Sequence, residues 1–186
     1  MDLMSGLDKF GLNPEEINDL YDGEKKTVTV NTPVAAAVQT EDERDFVFAK
    51  SVTCPVCDDN FQTLTVKASK VRLVGSDDDF RPVYKGIDTV KYGVTSCPHC
   101  GYSAMNGDFI HVSNIQIRLL KEQVAAKFKP GNKNVPLIYS YDEAIDRYKL
   151  ALFSAIVKRA SYSEKAYICL KMSWLYRGLL EKLVAD

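Results

Sequence analysis

Four of the chain's five cysteines fall in two short runs, Cys54-Pro55-Val56-Cys57 and Cys97-Pro98-His99-Cys100. Each run is Cys-Pro-x-Cys, a turn that aims two thiolates at one point. Proline fixes φ at the second position and so pre-forms the turn. Two such turns supply four sulfurs, enough to close a tetrahedral shell around one Zn²⁺ at about 2.3 Å. The residue after each second cysteine often needs a left-handed backbone. Gly101 adopts it freely, and Asp58 belongs to the few other residue types that tolerate it. A shell of four thiolates leaves no open position for water, so such a site is structural rather than catalytic.

Other chemistries share parts of this pattern. Two disulfides would need an oxidising compartment. The chain opens on Met1-Asp2-Leu3-Met4, without the charged-then-apolar profile of a signal peptide. No apolar run approaches the roughly 20 residues of a membrane span. The expectation is a cytoplasmic protein with reduced thiols and no membrane association. A thioredoxin-like redox pair opens a helix after a strand, whereas both pairs here stand among strand and turn residues. Iron in four thiolates has the same sequence signature as zinc. One structural zinc per chain is therefore expected, with iron as the alternative. Cys169, the fifth, lies in an apolar helical pattern and reads as a small buried hydrophobe.

The elements that must position these sulfurs change character along the chain. Residues 1–45 carry a net charge of −7, residues 46–110 are neutral, and residues 111–186 carry +6. Three segments follow from this and from the periodicities. Residues 1–45 read as a weakly structured lead-in with one short helix opening at Asn13-Pro14-Glu15-Glu16, a brief strand at Thr27–Val30, and a solvated charge run from Glu41 to Asp45. Residues 46–110 read as a zinc-ribbon-like β module. Strands at Phe46–Val52, Phe61–Lys67, Val71–Val74 and Val90–Val94 alternate with period two, and Gly75–Asp79 forms a turn. The 39 residues between Cys57 and Cys97 would then form one small antiparallel sheet.

From residue 111 the period becomes helical. Ile117, Leu120, Val124 and Phe128 mark one face of a helix over 113–128, stopped by Lys129-Pro130-Gly131. Ser140 and Glu143 form a capping box for a second helix to about Arg159, with Ala144, Ile145, Tyr148, Ala151, Leu152, Ala155 and Ile156 inward. A third, capped by Ser163, buries Ala166, Leu170, Trp174 and Leu175 and runs to about Val184. The fold class is α+β: a small antiparallel ribbon sheet followed by an α-helical hairpin or short bundle.

One ordered string of residues resembles a known family. Cys54-Pro55-Val56-Cys57, Ser69-Lys70-Val71-Arg72-Leu73, Asp79-Phe80-Arg81 with Tyr84, Tyr92, Cys97-Pro98-His99-Cys100-Gly101-Tyr102 and Asp108-Phe109 are similar to the uncharacterised bacterial family called domain of unknown function 2225. The resemblance covers residues 46–186. It implies a cytoplasmic bacterial protein with a metal-binding cysteine quartet, a helical tail and no assigned activity. Asp58 departs from it, since a glycine is usual after the pair. Tyr141-Asp142-Glu143-Ala144-Ile145, with Tyr148 and Ala151-Leu152, resembles the second helix of a tetratricopeptide repeat, without that repeat's closing proline.

No catalytic set can be assembled. His99 lies inside a metal turn and is read as facing solvent. His111 stands before a helix, and no Ser-His-acid set or phosphate loop is present. The reading therefore leans away from an enzyme. Asp79, Phe80, Arg81 and Tyr84 are the candidates for a functional loop. Their bland alternative is an Asp–Arg pair that fixes a turn, with both aromatics in the core. The expected function is a non-catalytic interaction module binding another protein, with self-association through the helical tail as one form. Nucleic-acid binding is the second reading. It is weakened because the ribbon segment is net neutral, without the basic bias that phosphates reward. A redox protein using the cysteines, or an enzyme using the Asp79–Tyr84 region, is the third.

Overall fold

The computed structural model describes residues 42–130 and 135–185, with Lys9 and Gly11. The helix expected from Asn13, the strand Thr27–Val30, the connector up to residue 41 and Gly131 of the expected helix stop lie outside the described residues.

The β part is three two-stranded antiparallel ribbons rather than the one sheet expected. Strand β1 (Val47–Thr53) pairs with β2 (Asn60–Val66) in an unbroken register from Val47↔Val66 to Thr53↔Asn60. Strand β3 (Leu73–Ser76) pairs with β4 (Pro82–Tyr84), with a register shift between Leu73 and Gly75. Strand β5 (Val94–Ser96) pairs with β6 (Ser103–Met105). The reason is local. Each cysteine turn is itself a hairpin turn, so the strand entering it pairs with the strand leaving it. Gly75 and Ser76 belong to β3, and the turn falls one step later, closed by Phe80 N–H donating to the Asp77 carbonyl at 2.9 Å. Val90 and Tyr92 lie in a 3₁₀ turn, Thr89–Tyr92, because Asp88 accepts from Val90 N–H and caps it.

Helix α1 (Asn114–Leu120) starts at a complete capping box between Ser113 and Gln116, then widens into a π turn at Lys121–Ala125. Helix α2 (Tyr141–Val157) is capped by Ser140, whose side chain accepts from Glu143 N–H. Helix α3 (Tyr162–Ala185) is capped by Ser161 rather than Ser163: its hydroxyl accepts from Glu164 N–H at 3.2 Å. Arg159 in the link takes a left-handed φ of 54° and turns the chain back.

All seven residues expected on the inner face of α2 are buried, and so are Leu150, Phe153, Ser154 and Val157 on its other side. The helix therefore runs through the interior. One side meets α3 across Ala144, Tyr148, Ile168, Met172 and Leu175. The other meets the second cysteine ribbon and α1 across Leu150, Phe153, Tyr102 and Leu120. Trp174 and Leu175 are buried as expected, but Ala166 and Leu170 face solvent. The inner stripe of α3 follows Ile168, Met172 and Leu175 instead.

The charge run at Glu41–Asp45 is not simply solvated. Glu43 begins a 3₁₀ turn (Glu43–Phe46) and accepts hydrogen bonds from the Tyr92 hydroxyl and the buried Lys91 ammonium, both at 2.7 Å. A buried lysine needs such a partner, because an unpaired charge in the interior would be strongly disfavoured.

Gly178 is buried in α3 where a Cβ would lie 2.7 Å from the Tyr141 ring and 2.8 Å from the Arg81 guanidinium. Helix propensity alone favours alanine there by about 1 kcal/mol. Gly178→Ala is expected to destabilise the fold by about 1–3 kcal/mol, because overpacking outweighs propensity. The urea midpoint reads the sign, and a more stable variant would place α3 farther from Arg81.

Candidate metal centre

Both cysteine turns are built on the same backbone hydrogen bonds. Cys54 N–H donates to the Asp59 carbonyl and Asp58 N–H to the Cys54 carbonyl, each at 2.9 Å. Cys97 N–H donates to the Tyr102 carbonyl at 2.8 Å and Gly101 N–H to the Cys97 carbonyl at 3.0 Å. The residues expected to be left-handed are so, Asp58 at φ 62° and Gly101 at φ 76°. Gly101 is required for room as well: a Cβ there would stand 2.3 Å from the Phe128 ring.

The two turns face each other and bring four sulfurs together. Cys54 Sγ lies 3.6 Å from Cys100 Sγ, and Cys57 Sγ lies 3.6 Å from Cys97 Sγ. All four lie within 4.8 Å of one another. A tetrahedron with metal–sulfur bonds of about 2.3 Å has edges of about 3.8 Å. A disulfide would need about 2.05 Å, and all five cysteines are free thiols. The donor set and spacing thus suit one tetrahedral ion that prefers thiolates. Backbone support is also present, with Val56 N–H donating to Cys54 Sγ at 3.4 Å.

The cluster is interior. Cys54 is 0%, Cys97 1% and Cys100 4% exposed, and Cys57 is half-buried. Phe61, Tyr102, Phe109 and Leu120 pack around it. Tyr102 stacks on Phe109 with ring centroids 4.9 Å apart, and its hydroxyl donates to the Phe109 carbonyl at 3.1 Å. Without a cation the thiols share protons. Cys54 is pulled down by hydrogen bonds from Cys100 and then Cys97, while Cys100, which keeps its proton in the hydrogen bond to Cys54, is pushed up. Burial raises Cys57. A divalent cation removes this conflict, since it lets all four sulfurs carry charge together.

His99 lies on the rim, half-buried, with Nδ1 4.0 Å from an Asp59 carboxylate oxygen, and it is not part of the sulfur cluster. His111 is exposed beyond it. Cys169 is half-buried against the α2–α3 core, and its thiol is pushed up by burial.

The second group of candidate residues is dispersed over a different site. Arg81 meets Asp79 only through its backbone N–H, which donates to the carboxylate at 3.3 Å. Its buried guanidinium binds Asp88 at 2.8 Å and Glu181 of α3 at 3.3 Å, and Tyr141 donates its hydroxyl to the same Asp88 oxygen. Asp79 binds Arg177 of α3 at 2.8 Å, and Asp77 binds it at 2.7 Å, so two of the three consecutive acids are engaged by one guanidinium. Partial burial alone would raise Asp79, but Arg177 outweighs it and holds the carboxyl below its ordinary value. Tyr84 packs at the edge of the core around Phe46 and Ile87. Phe80 is not core: it is 83% exposed at the tip of the turn. The sequence did not reveal the partners Glu43, Arg177 and Glu181, because pairs about 50 to 100 residues apart have no local pattern, and Asp88, only seven residues from Arg81, went unread as well.

The two turns give opposite expectations for glycine. Asp58→Gly is expected to stabilise the protein by about 0.5–1 kcal/mol, as left-handed strain is relieved. Gly101→Ala is expected to lower stability by about 2 kcal/mol or more, through strain and collision with Phe128. Thermal melts of the metal-loaded variants check both signs.

Comparison with curated proteins and with solved structures finds no match. A family model described as uncharacterized protein conserved in bacteria (DUF2225) matches residues 47–185, from the first strand of the first cysteine ribbon to the last turn of α3. The match takes in both cysteine turns, the β3–β4 hairpin and all three helices, and the chain belongs to that family.

Proposed function

We propose that the chain is a non-catalytic protein-interaction module, working in a reducing cytoplasm, in which one zinc ion serves as a structural cross-link between the two cysteine ribbons. The observation that carries this reading is the burial of three of the four sulfurs within the hydrophobic core. A catalytic zinc keeps a position open to water and substrate. Here aromatic and aliphatic side chains occupy the space that a substrate would need. Zinc is favoured over iron because it asks only for a tetrahedral thiolate shell and takes no part in electron transfer.

The rest of the molecule is consistent with a scaffold. The described helices are none of them long and apolar enough to cross a membrane. What remains for function is surface, and among the described residues the β3–β4 hairpin and the last turns of α3, with Leu180, Leu183 and Val184 exposed, carry apolar side chains on it.

Native mass spectrometry with elemental analysis of the same sample is expected to give one zinc per chain. Four thiols should resist alkylation until a chelator removes the metal. Cys97→Ser should lose the ion and cooperative melting of the ribbon half, since structural zinc contributes about 10 kcal/mol or more in small domains. A variant that melts like the parent would refute the structural role. Iron in place of zinc, or thiols that oxidise and reduce reversibly in the folded protein, would make the quartet itself the activity.

A further inference from the structure

The β3–β4 hairpin is exposed along the whole of β3. Leu73, Val74 and Val83 lie open to solvent on it. A ribbon of two strands is marginal by itself, and its apolar side chains gain little where they stand. Its two ends differ sharply in chemistry.

The tip is acidic and aromatic. Asp77, Asp78, Asp79 and Phe80 form it, with Asp78 exposed and Phe80 at φ 62°. A bulky side chain held left-handed costs about 1–2 kcal/mol. Among the described residues the ring gains no burial that would offset that cost, being 83% exposed. The conformation is nonetheless enforced: Arg177 clamps the residues flanking the tip, and Arg81 anchors the next residue to Asp88 and Glu181.

The base is basic with an apolar floor. A cleft of about 600 Å³ opens there, lined by Asp45, Phe46, Ser69, Lys70, Arg72 and Lys85. Phe46 is buried beneath it, while Lys70, Arg72 and Lys85 stand exposed at its walls. Its size lies within the range of small ligand sites, with room for one aromatic side chain.

We propose that this hairpin is a self-complementary docking surface through which two copies of the chain pair, each inserting Phe80 and Asp78 into the basic cleft at the base of the other. Tip and base are opposite ends of one ribbon. A twofold axis across its middle therefore sets each tip on the other's base, forming both contacts at once, as an isologous interface requires. Lys70 and Arg72 would face Asp78 and the ring of Phe80, combining charge pairing with cation–π attraction. Leu73, Val74 and Val83, between the two ends, would be covered. A free phosphate compound would fit the cleft, but it would leave the enforced Phe80 and the acids unexplained. The pairing does not depend on which ion the cysteine quartet holds, so it goes beyond the interaction-module reading.

The test is self-association of the full chain, followed by light scattering and native mass spectrometry over a concentration series at low salt. The parent is expected to dimerise. Asp78→Arg and Arg72→Asp should each weaken dimerisation about tenfold or more. An equimolar mixture of the two should restore it to within about threefold, because in the mixed pair both contacts become attractive again. Phe80→Gly should weaken pairing while raising the thermal midpoint, a combination that damage to the fold would not produce. A parent that stays monomeric, a dimer indifferent to both charge reversals, or a mixture that associates no better than its components would each overturn the proposal. So would a monomer whose cleft binds inorganic pyrophosphate.

Discussion

Two sulfur pairs, Cys54 with Cys100 and Cys57 with Cys97, join ribbons that share no strand pairing. Everything around them follows from that constraint. A two-stranded ribbon cannot bury both faces, so it must be tied to something else. The first cysteine ribbon is tied to the second by the quartet. The second is tied to the helices by packing on α2, where Ser154 accepts from Ser103 N–H. Side chains from either side of residue 110 thus share one interior, with Phe61, Cys97, Leu120 and Phe153 in the same cluster.

Tyrosine hydroxyls brace the parts that sulfur does not reach. Tyr148 on α2 donates to the Val90 carbonyl, Tyr139 accepts from Leu64 N–H, and Tyr92 reaches Glu43. Tyr139 satisfies an N–H of strand β2, while the other two add a second hydrogen bond to acceptors already used, the Val90 carbonyl by Gly93 N–H and Glu43 by Lys91. Burial pushes Tyr148 and Tyr92 above their ordinary range, so both remain donors throughout the pH range of living cells. Gly93 makes one of these contacts feasible, since a Cβ there would occupy the position of the Tyr148 hydroxyl.

Much of this was legible in the residues. Cys-Pro-x-Cys announced the turns, Asp58 and Gly101 their left-handed residues, and the stripe from Ala144 to Ile156 the inner face of α2. These are local signals, written within four or five neighbours. Strand β6 was not, because three residues after a glycine carry no period. The all-round burial of α2 was not either, since Lys149 and Ser154 look like a solvent face until their neighbours are known. The pairing of Arg81 with Glu181, 100 residues away, went unread for the same reason. A guanidinium reveals its charge in sequence but not which distant carboxylate will meet it.

The clamp of Arg177 on Asp79 spans 98 residues, whereas the two cysteine pairs span 46 and 40. On a ribosome, this difference becomes an order of events. All four thiols have been synthesised once Cys100 has been added, so an ion can be captured while α2 and α3 are still unmade. The β3–β4 hairpin must wait for α3 before its turn is locked. The four thiols can thus be gathered while the hairpin is still loose. That leaves an interval in which neighbouring chains on one messenger could meet before either tip is set.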